Sequence, residues 1–299
     1  MKTLFVVVGP TGIGKTAVSI KIAKSLNTEI VSSDSRQIYK GIPIGTACPS
    51  AQELSEVRHH FIETIELDDY FSCGRFEVEA LKCLEDIFSR NDCAVMCGGS
   101  MLYVDALCKG IDDLPDVDQD LRDSLWKRFE EEGIDNIYGE LKILDPEYAK
   151  IVDMKNHKRV IHALELCLES GKTYTELRTQ TKKERDFKIV KIGLTLPREE
   201  VYERINRRVD VMVANGLEEE ARSVYHLRHL NSLNTVGFKE MFAYISGECS
   251  KESAIESIKT NTRRYAKKQL TWWQRDTEIK WVSPYDWEAI QFIIHNYAL

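Results

Sequence analysis

The 299-residue chain has no apolar run long enough to cross a bilayer, and its first one, LFVVV at positions 4–8, leads straight into a glycine-rich stretch. Neither a signal peptide nor a transmembrane helix is therefore expected. None of its eight cysteines (48, 73, 83, 93, 97, 108, 167 and 249) is spaced as C-x-x-C, which argues for reduced thiols and a cytoplasmic protein. Cys93 and Cys97 come nearest to a metal pair, but they flank Ala94, Val95 and Met96 in what reads as a strand. No second ligand pair follows, so zinc is not expected. Internal repeats and low-complexity tracts are absent, and a hydrophobic content of 43% lets the chain bury a full globular core.

Positive charge is in the minority overall, with 41 lysines and arginines against 48 aspartates and glutamates. The net charge of −7 argues, taken alone, against a nucleic-acid partner. The imbalance is not uniform, because 259–275 contains no acidic residue at all. There, Lys259, Arg263, Arg264, Lys267, Lys268 and Arg275 are interleaved with Tyr265, Trp272 and Trp273. Basic residues with aromatics on a helix suit a phosphate backbone and stacked bases of single-stranded RNA. The tryptophans read equally well as core. Acidic residues concentrate instead at Asp112, Asp113, Asp116, Asp118, Asp120 and Asp123.

The strongest local signal is GPTGIGKT, where Gly9, Gly14, Lys15 and Thr16 fit G-x-x-x-x-G-K-[ST]. Backbone N–H groups of such a loop wrap phosphate oxygens, the lysine adds a point charge, and the hydroxyl is a magnesium ligand. The context agrees: Leu4 to Val8 reads as a buried parallel strand, and Val18, Ile22 and Leu26 recur with helical spacing. The helix N-terminus adds its dipole.

Further strands are expected at 29–34 (EIVSSD) and 93–99 (CAVMCGG), with helices near 75–89 and from 100 through Leu107. That alternation predicts an α/β fold with a doubly wound parallel sheet. After DDLPDVD the pattern turns wholly helical, with Leu121, Leu125 and Phe129 on one face and Val160, Leu164 and Leu168 on another that stops at Ser170-Gly171. A strand returns at 187–196, long helices follow, and IKWV (279–282) reads as a last strand. The domains expected are a core of 1–113 and 186–299 and a helical insertion of 114–185.

Asp34 sits at a strand's C-terminal end, where open α/β sheets bind ligands. It can be a magnesium ligand, a general base, or the cap of the following turn. Ser35 and Gln37 can read a base edge. GGSMLYVDAL (98–107) is a second glycine-rich turn in which Ser100 is either a helix N-cap or a ligand contact. Lys155, Lys158, Arg159 and His162 gather near one helix start, as a solvated face or a nucleic-acid contact. Arg204, Arg207 and Arg208 share a helix face, where one arginine can meet a diphosphate.

In this order the segments resemble the tRNA dimethylallyltransferase (tRNA isopentenyltransferase) family. GPTGIGKT resembles G-P-T-x-x-G-K-[ST], DSRQIYKGIPIGTACP resembles D-S-x-Q-x-Y-x-x-x-x-I-G-T-A-K-P, and GGSMLYVDAL resembles G-G-T-x-x-Y-x-x-A-L. DPEYA, KRVIHALE, RINRRVDVMVANGLEEE, VGFKEM and NTRRYAKKQLTWW resemble the remaining blocks. The resemblance implies a P-loop NTPase-like core and transfer of a dimethylallyl group from dimethylallyl diphosphate to the exocyclic amine of the adenosine 3′ of a tRNA anticodon. It implies that Gly9, Pro10, Thr11, Gly12, Ile13, Gly14, Lys15 and Thr16 hold the diphosphate, with Mg2+ on Thr16. Asp34 would take the amine proton, Thr11 would steady the bridging oxygen, and Arg208 would absorb leaving-group charge. The tRNA contacts implied are Asp34, Ser35, Arg36, Gln37, Ser100, Arg122, Lys158, Arg159, Val160, Ile161 and His162, joined by Arg263, Arg264, Lys267 and Lys268. The enzyme is expected to act as a monomer without a membrane partner.

Four positions depart from the family pattern: Cys48 replaces a lysine, His157 a proline, His162 an arginine and Ser100 a threonine. Cys48 removes a phosphate contact, and His162 lacks arginine's fork of donors. Ser100 keeps its hydroxyl. The competing readings are a small-molecule P-loop kinase using ATP, an adenylate isopentenyltransferase acting on free AMP, and an RNA-binding module with a vestigial loop. The helical insertion and the basic C-terminal helix favour a large acceptor, and intact Lys15, Thr16 and Asp34 favour an enzyme.

Overall fold

A computed structural model describes residues 1–179 and 181–298 of the chain. Among these residues, six strands form one sheet: β1 (Thr3–Val8), β2 (Ile30–Ser32), β3 (His59–His60), β4 (Cys93–Cys97), β5 (Lys188–Leu194) and β6 (Lys280–Val282). Every pairing is parallel, in the order β3-β2-β4-β1-β5-β6. The unbroken apolar run of β1 follows from burial on both faces. Leu4, Val6 and Val8 point into a core with Phe76, Tyr103 and Trp273, while Phe5 and Val7 point into another with Ile13, Ile22 and Ile205.

The register decides where the loops emerge. Val7 of β1 and Ser32 of β2 both pair with Cys97 of β4, so these strands end level. The three segments that leave them open side by side: 9–16, 33–47 and 98–100. Gly9 is required at the first exit because its φ is +145° and a Cβ there would lie 2.8 Å from the Leu194 carbonyl oxygen. Helices follow at Lys15–Ser25, Cys73–Arg90, Met101–Lys109, Arg198–Ala214 and Lys251–Trp273. The two-residue β3 and the helices Leu217–Ser223, Phe238–Ile245 and Trp287–Ala298 went unassigned from sequence. The C-terminal ends of the 29–34 and 93–99 strands were expected two residues beyond where the ladder stops, since the chain leaves the sheet at Ser33 and Gly98.

The chain divides into two compact units, Met1–Cys108 with Glu184–Leu299, and Lys109–Lys183. The second begins at Lys109 where 114 was expected, and the two ends of this unit pair with each other: the Lys183 amide donates to the Lys109 carbonyl (2.8 Å) and its ammonium meets Asp113 (2.7 Å). Its longer helices are Gln119–Glu132, Ile134–Leu144 and His157–Ser170. They bury Leu125, Ile137, Leu141, Val160, Ile161, Leu164 and Cys167. Leu168, expected on this face, is exposed; seven residues after Val160 return nearer to one face of a helix than eight do, so Cys167 takes the inward position. Asn156 caps this helix through the Arg159 amide, and Gly171 ends it in a left-handed conformation. Among the described residues no helix is long and apolar enough to cross a membrane.

Phe76 is fully buried, stacked on Tyr103 with ring centroids 4.3 Å apart and edge-on to Phe61. Phe76→Ala is expected to lower the free energy of unfolding in urea by about 3–5 kcal/mol, whereas Leu102→Ala, on an exposed position of the neighbouring helix, changes it by less than about 0.5 kcal/mol.

Candidate active site

The phosphate-binding pattern folds as the sequence requires. Gly14, at φ +101°, caps the helix Lys15–Ser25 and leaves its N-terminal amides facing a cavity of about 500 Å³. Lys15 returns over the loop, donating to the carbonyls of Gly9 and Pro10 at 3.0 Å each. Burial pushes its pKa down to about 8, helped by the charge of Arg208 and opposed by Cys97 and Asp34. Burial also lowers Arg208 from its usual value. Two cations are thus desolvated in a cavity that wants an anion. Thr16 lines the same cavity and its hydroxyl takes no partner among the described residues. Gly9, Pro10 and Ile13 are buried, with the Ile13 side chain in the core, so these three offer a ligand backbone only.

The helix Arg198–Ala214 supplies the arginines. Arg208 Nη1 donates to the Thr11 hydroxyl (3.1 Å), and Arg204 Nε donates to the Gly12 carbonyl (2.8 Å), four residues apart on one face. Arg207 also lines the cavity, and it is exposed. The apolar part of the wall comes from Ile30, Ala47, Pro49, Ile62 and Val211.

Asp34 closes an Asx turn: its Oδ1 accepts from the amides of Arg36 (2.9 Å) and Gln37 (3.3 Å). The capping role is therefore real, and Oδ2 remains for chemistry. The loop beyond is braced from inside. Gln37 Nε2 donates to the carbonyls of Thr46 (3.2 Å) and Ala47 (2.9 Å), and the Glu220 carboxylate accepts from the amides of Ile44 (2.8 Å) and Gly45 (2.7 Å). Ser100 does not cap its helix with its side chain. Its Oγ instead accepts from the Ser35 amide (2.8 Å) and donates to the Ser35 hydroxyl (2.9 Å), tying the second glycine-rich turn to the Asp34 loop. Cys48 turns inward to Thr46, and burial pushes its thiol up to about 12, so it contributes no charge.

A second cavity of about 340 Å³ shares Thr11, Asp34 and Arg208 with the first. Ser35, Arg36 and Ser100 line it, together with Asn234, Thr235 and Lys239, which sequence reasoning did not single out. Arg36 is held by the carbonyls of Asn231 (2.8 Å) and Ser232 (3.3 Å).

The basic helix Lys251–Trp273 has two unlike faces. Arg264, Lys267 and Lys268 are exposed. Arg263 is occupied by Asn206 (2.6 Å) and Thr260 (2.9 Å). The tryptophans are not stacking platforms: Trp273 is in the core, and Trp272 donates to Asp105 (2.9 Å). Gln269, a fully buried polar residue of this helix, was also missed, because a glutamine within a basic helix reads as surface.

Within the unit Lys109–Lys183, Lys158 and Arg159 are exposed, and His162 Nδ1 lies 2.7 Å from Glu165, a buried carboxylate that also pairs with Arg122 at 3.2 Å. Val160 and Ile161 are corrected from contact positions to core, since both side chains are fully buried inside the helical unit.

A family model described as IPP transferase matches residues 37–276. A tRNA dimethylallyltransferase 1 of Phocaeicola vulgatus is 54% identical over 98% of both chains, and one of Bacteroides fragilis is 56% identical over 95% of this chain and 94% of its own. Among solved structures, the tRNA isopentenylpyrophosphate transferase of Bacillus halodurans covers 99% of this chain and 95% of its own at 36% identity and a TM-score of 0.72. A eukaryotic dimethylallyltransferase acting on tRNA covers 98% of this chain and 78% of its own at 28% identity and a TM-score of 0.82. The parallel sheet with its phosphate loop, the two cavities meeting at Asp34 and these matches agree: the chain belongs to the IPP transferase family, that of the tRNA dimethylallyltransferases.

Proposed function

We propose that this protein transfers the dimethylallyl group of dimethylallyl diphosphate to the exocyclic amine of the adenosine immediately 3′ of the anticodon in tRNA, releasing diphosphate. The observation that carries this reading is that Thr11, Asp34 and Arg208 line both cavities, so a donor in one and an acceptor in the other meet at the same three side chains. A kinase that holds ATP on the same loop gives no account of the exposed cations on the helix Lys251–Trp273.

The diphosphate lies against the loop amides of 9–16, Lys15 and Arg208, and the allyl group lies against the apolar wall. The target base leaves the anticodon stack and enters the second cavity between Ser35 and Thr235. Its amine nitrogen attacks the allylic carbon, the bond from that carbon to the bridging oxygen breaks, and Asp34 Oδ2 takes the amine proton. Lys15 and Arg208 absorb the charge that develops on the leaving diphosphate, and the Thr11 hydroxyl, held by Arg208, donates to the bridging oxygen. Magnesium fits the donor set, since the unpartnered Thr16 hydroxyl and substrate phosphates are oxygen ligands of the kind it prefers; when bound it neutralises diphosphate charge. Lys158, Arg159, Arg264, Lys267 and Lys268 are the exposed cations assigned to tRNA phosphates. Gln37, with its amide nitrogen spent on the Thr46 and Ala47 carbonyls, orders the loop that carries Asp34 and lines the donor cavity rather than the base's.

Incubating the protein with unmodified anticodon stem-loop RNA and radiolabelled dimethylallyl diphosphate tests the reading: label appears in the RNA, and no label in RNA overturns it. Asp34→Asn is expected to lower kcat by about 10²- to 10⁴-fold while stem-loop affinity stays within about threefold, because the amide preserves shape but accepts no proton.

Donor affinity is expected to depend on alkaline pH through Lys15. Its pKa in the free protein is depressed to about 8, and a bound diphosphate raises it again. Below pH 8 the ammonium is already charged; above it, binding must take up a proton, so donor affinity falls by up to about tenfold per pH unit. Calorimetric titrations with dimethylallyl diphosphate from pH 7 to 9.5 measure this, and Lys15→Ala flattens the profile while weakening binding by about 1.5–3 kcal/mol.

Stem-loop affinity is expected to fall steeply with salt. Exchanging Arg264 and Lys268 for glutamine flattens the slope of log affinity against log salt by about 1.4–1.8 if each neutralises one phosphate. An unchanged slope would make this face of the helix merely solvated.

A further inference from the structure

Gln269 is 1% exposed, about one turn before the C-terminal end of the helix Lys251–Trp273, and both ends of its carboxamide are spent on backbone that lines the candidate site. Its Oε1 accepts from the Thr11 amide at 2.8 Å, and its Nε2 donates to the Gly99 carbonyl at 2.8 Å. The partners fix the orientation of the amide, because the reverse would set oxygen against oxygen and N–H against N–H. Gly99 is matched to it: a Cβ at that position would collide with Gln269 Nε2. The residues one turn before and one turn after reinforce the docking, with the Tyr265 hydroxyl 3.4 Å from the Gly99 carbonyl and Trp272 Nε1 2.9 Å from Asp105. Thr11 is thus held twice, by Gln269 at its backbone and by Arg208 at its hydroxyl.

We propose that Gln269 is a positioning residue of the transfer reaction: it locks the phosphate loop to the second glycine-rich turn and so sets the Thr11 hydroxyl against the bridging oxygen of the donor. The inference rests on the prenyl-transfer reading above. Full burial keeps Gln269 from substrate, so it acts through Thr11. Its effect belongs in kcat, because Lys15 and Arg208 still grip the diphosphate without it, whereas the oxygen that leaves loses its aligned donor. The same helix presents Arg264, Lys267 and Lys268 on its outer face, which makes one rigid element the support of both the acceptor's docking surface and the donor's loop.

The test compares Gln269→Met, which conserves volume and removes both bonds, with Gln269→Glu, which keeps an acceptor for the Thr11 amide. Both are assayed with dimethylallyl diphosphate and anticodon stem-loop RNA, with thermal melting measured alongside. Gln269→Met is expected to lower kcat by about 30- to 100-fold, with KM for the donor and Kd for the RNA within about threefold, and Gln269→Glu to lower kcat by a smaller factor, about three- to tenfold. The inference is overturned if kcat of either folded variant stays within about twofold of the wild type, or if KM and Kd rise by as much as kcat falls. Should Gln269→Met not fold, Gln269→Glu decides by the same two criteria. Absence of transfer by the wild-type protein would overturn the prenyl-transfer reading itself, whereas wild-type transfer with unaltered variants overturns the Gln269 inference alone.

Discussion

Lys15 carries its ammonium into a site where burial depresses its pKa to about 8 and where its hydrogen-bond acceptors, among the described residues, are the Gly9 and Pro10 carbonyls. A lysine held this way is costly in the free protein and becomes favourable when an anion arrives, which is how a binding site differs from a structural ion pair. The nearby Arg208 obeys the same logic, since burial lowers it too and its side-chain hydrogen bond among the described residues is to a neutral hydroxyl. Among the described residues no carboxylate hydrogen-bonds either cation. Asp34 is close enough to be felt, and its Oδ1 is tied to backbone amides rather than to either cation.

The sheet provides the precision. Because β1, β2 and β4 end level, the phosphate loop, the Asp34 loop and the Gly98–Gly99 turn emerge side by side, and short hydrogen bonds can join them. Ser100 links the turn to the Asp34 loop, Gln269 links the turn to the phosphate loop, and Arg208 links the phosphate loop to the helix Arg198–Ala214. Each link uses one neutral polar side chain or one guanidinium, so the centre is held without adding negative charge near the phosphate site. The carboxylates that brace the Asp34 loop are tied to its amides, Asp34 Oδ1 to those of Arg36 and Gln37 and both oxygens of Glu220 to those of Ile44 and Gly45.

This arrangement separates two demands on the same protein. Donor binding needs a desolvated cationic cavity, which only a deep core element can supply. Acceptor docking needs exposed cations, which must lie on a surface. On the reading proposed above, the helix Lys251–Trp273 would meet both through its periodicity: at 3.6 residues per turn, Tyr265, Gln269 and Trp272 face Gly99 and Asp105, and the exposed Arg264, Lys267 and Lys268 fall elsewhere on its circumference. The protein's overall negative charge then leaves these outer cations as a local exception rather than part of a general affinity for polyanions.

What the sequence by itself determined was whatever is encoded within one local stretch. The phosphate loop, the strands on either side of it, the helical insertion and the placement of Asp34 at a strand end were all legible, because spacing, glycine content and hydrophobic period act over a few residues. The same reasoning overreached at Val160 and Ile161, where matching a contact block ignored the face each residue takes on the helix His157–Ser170, and at Trp272, whose indole is claimed by Asp105. Only the tertiary structure decided that Asp34 caps the turn at Arg36, that Ser100 braces a loop instead of capping its helix, and that Gln269 reaches Thr11 across a separation of 258 positions. The physical reason is that a buried polar side chain is defined by its partners, and those partners arrive from strands and helices distant in the chain, so no window of sequence contains both halves of the bond.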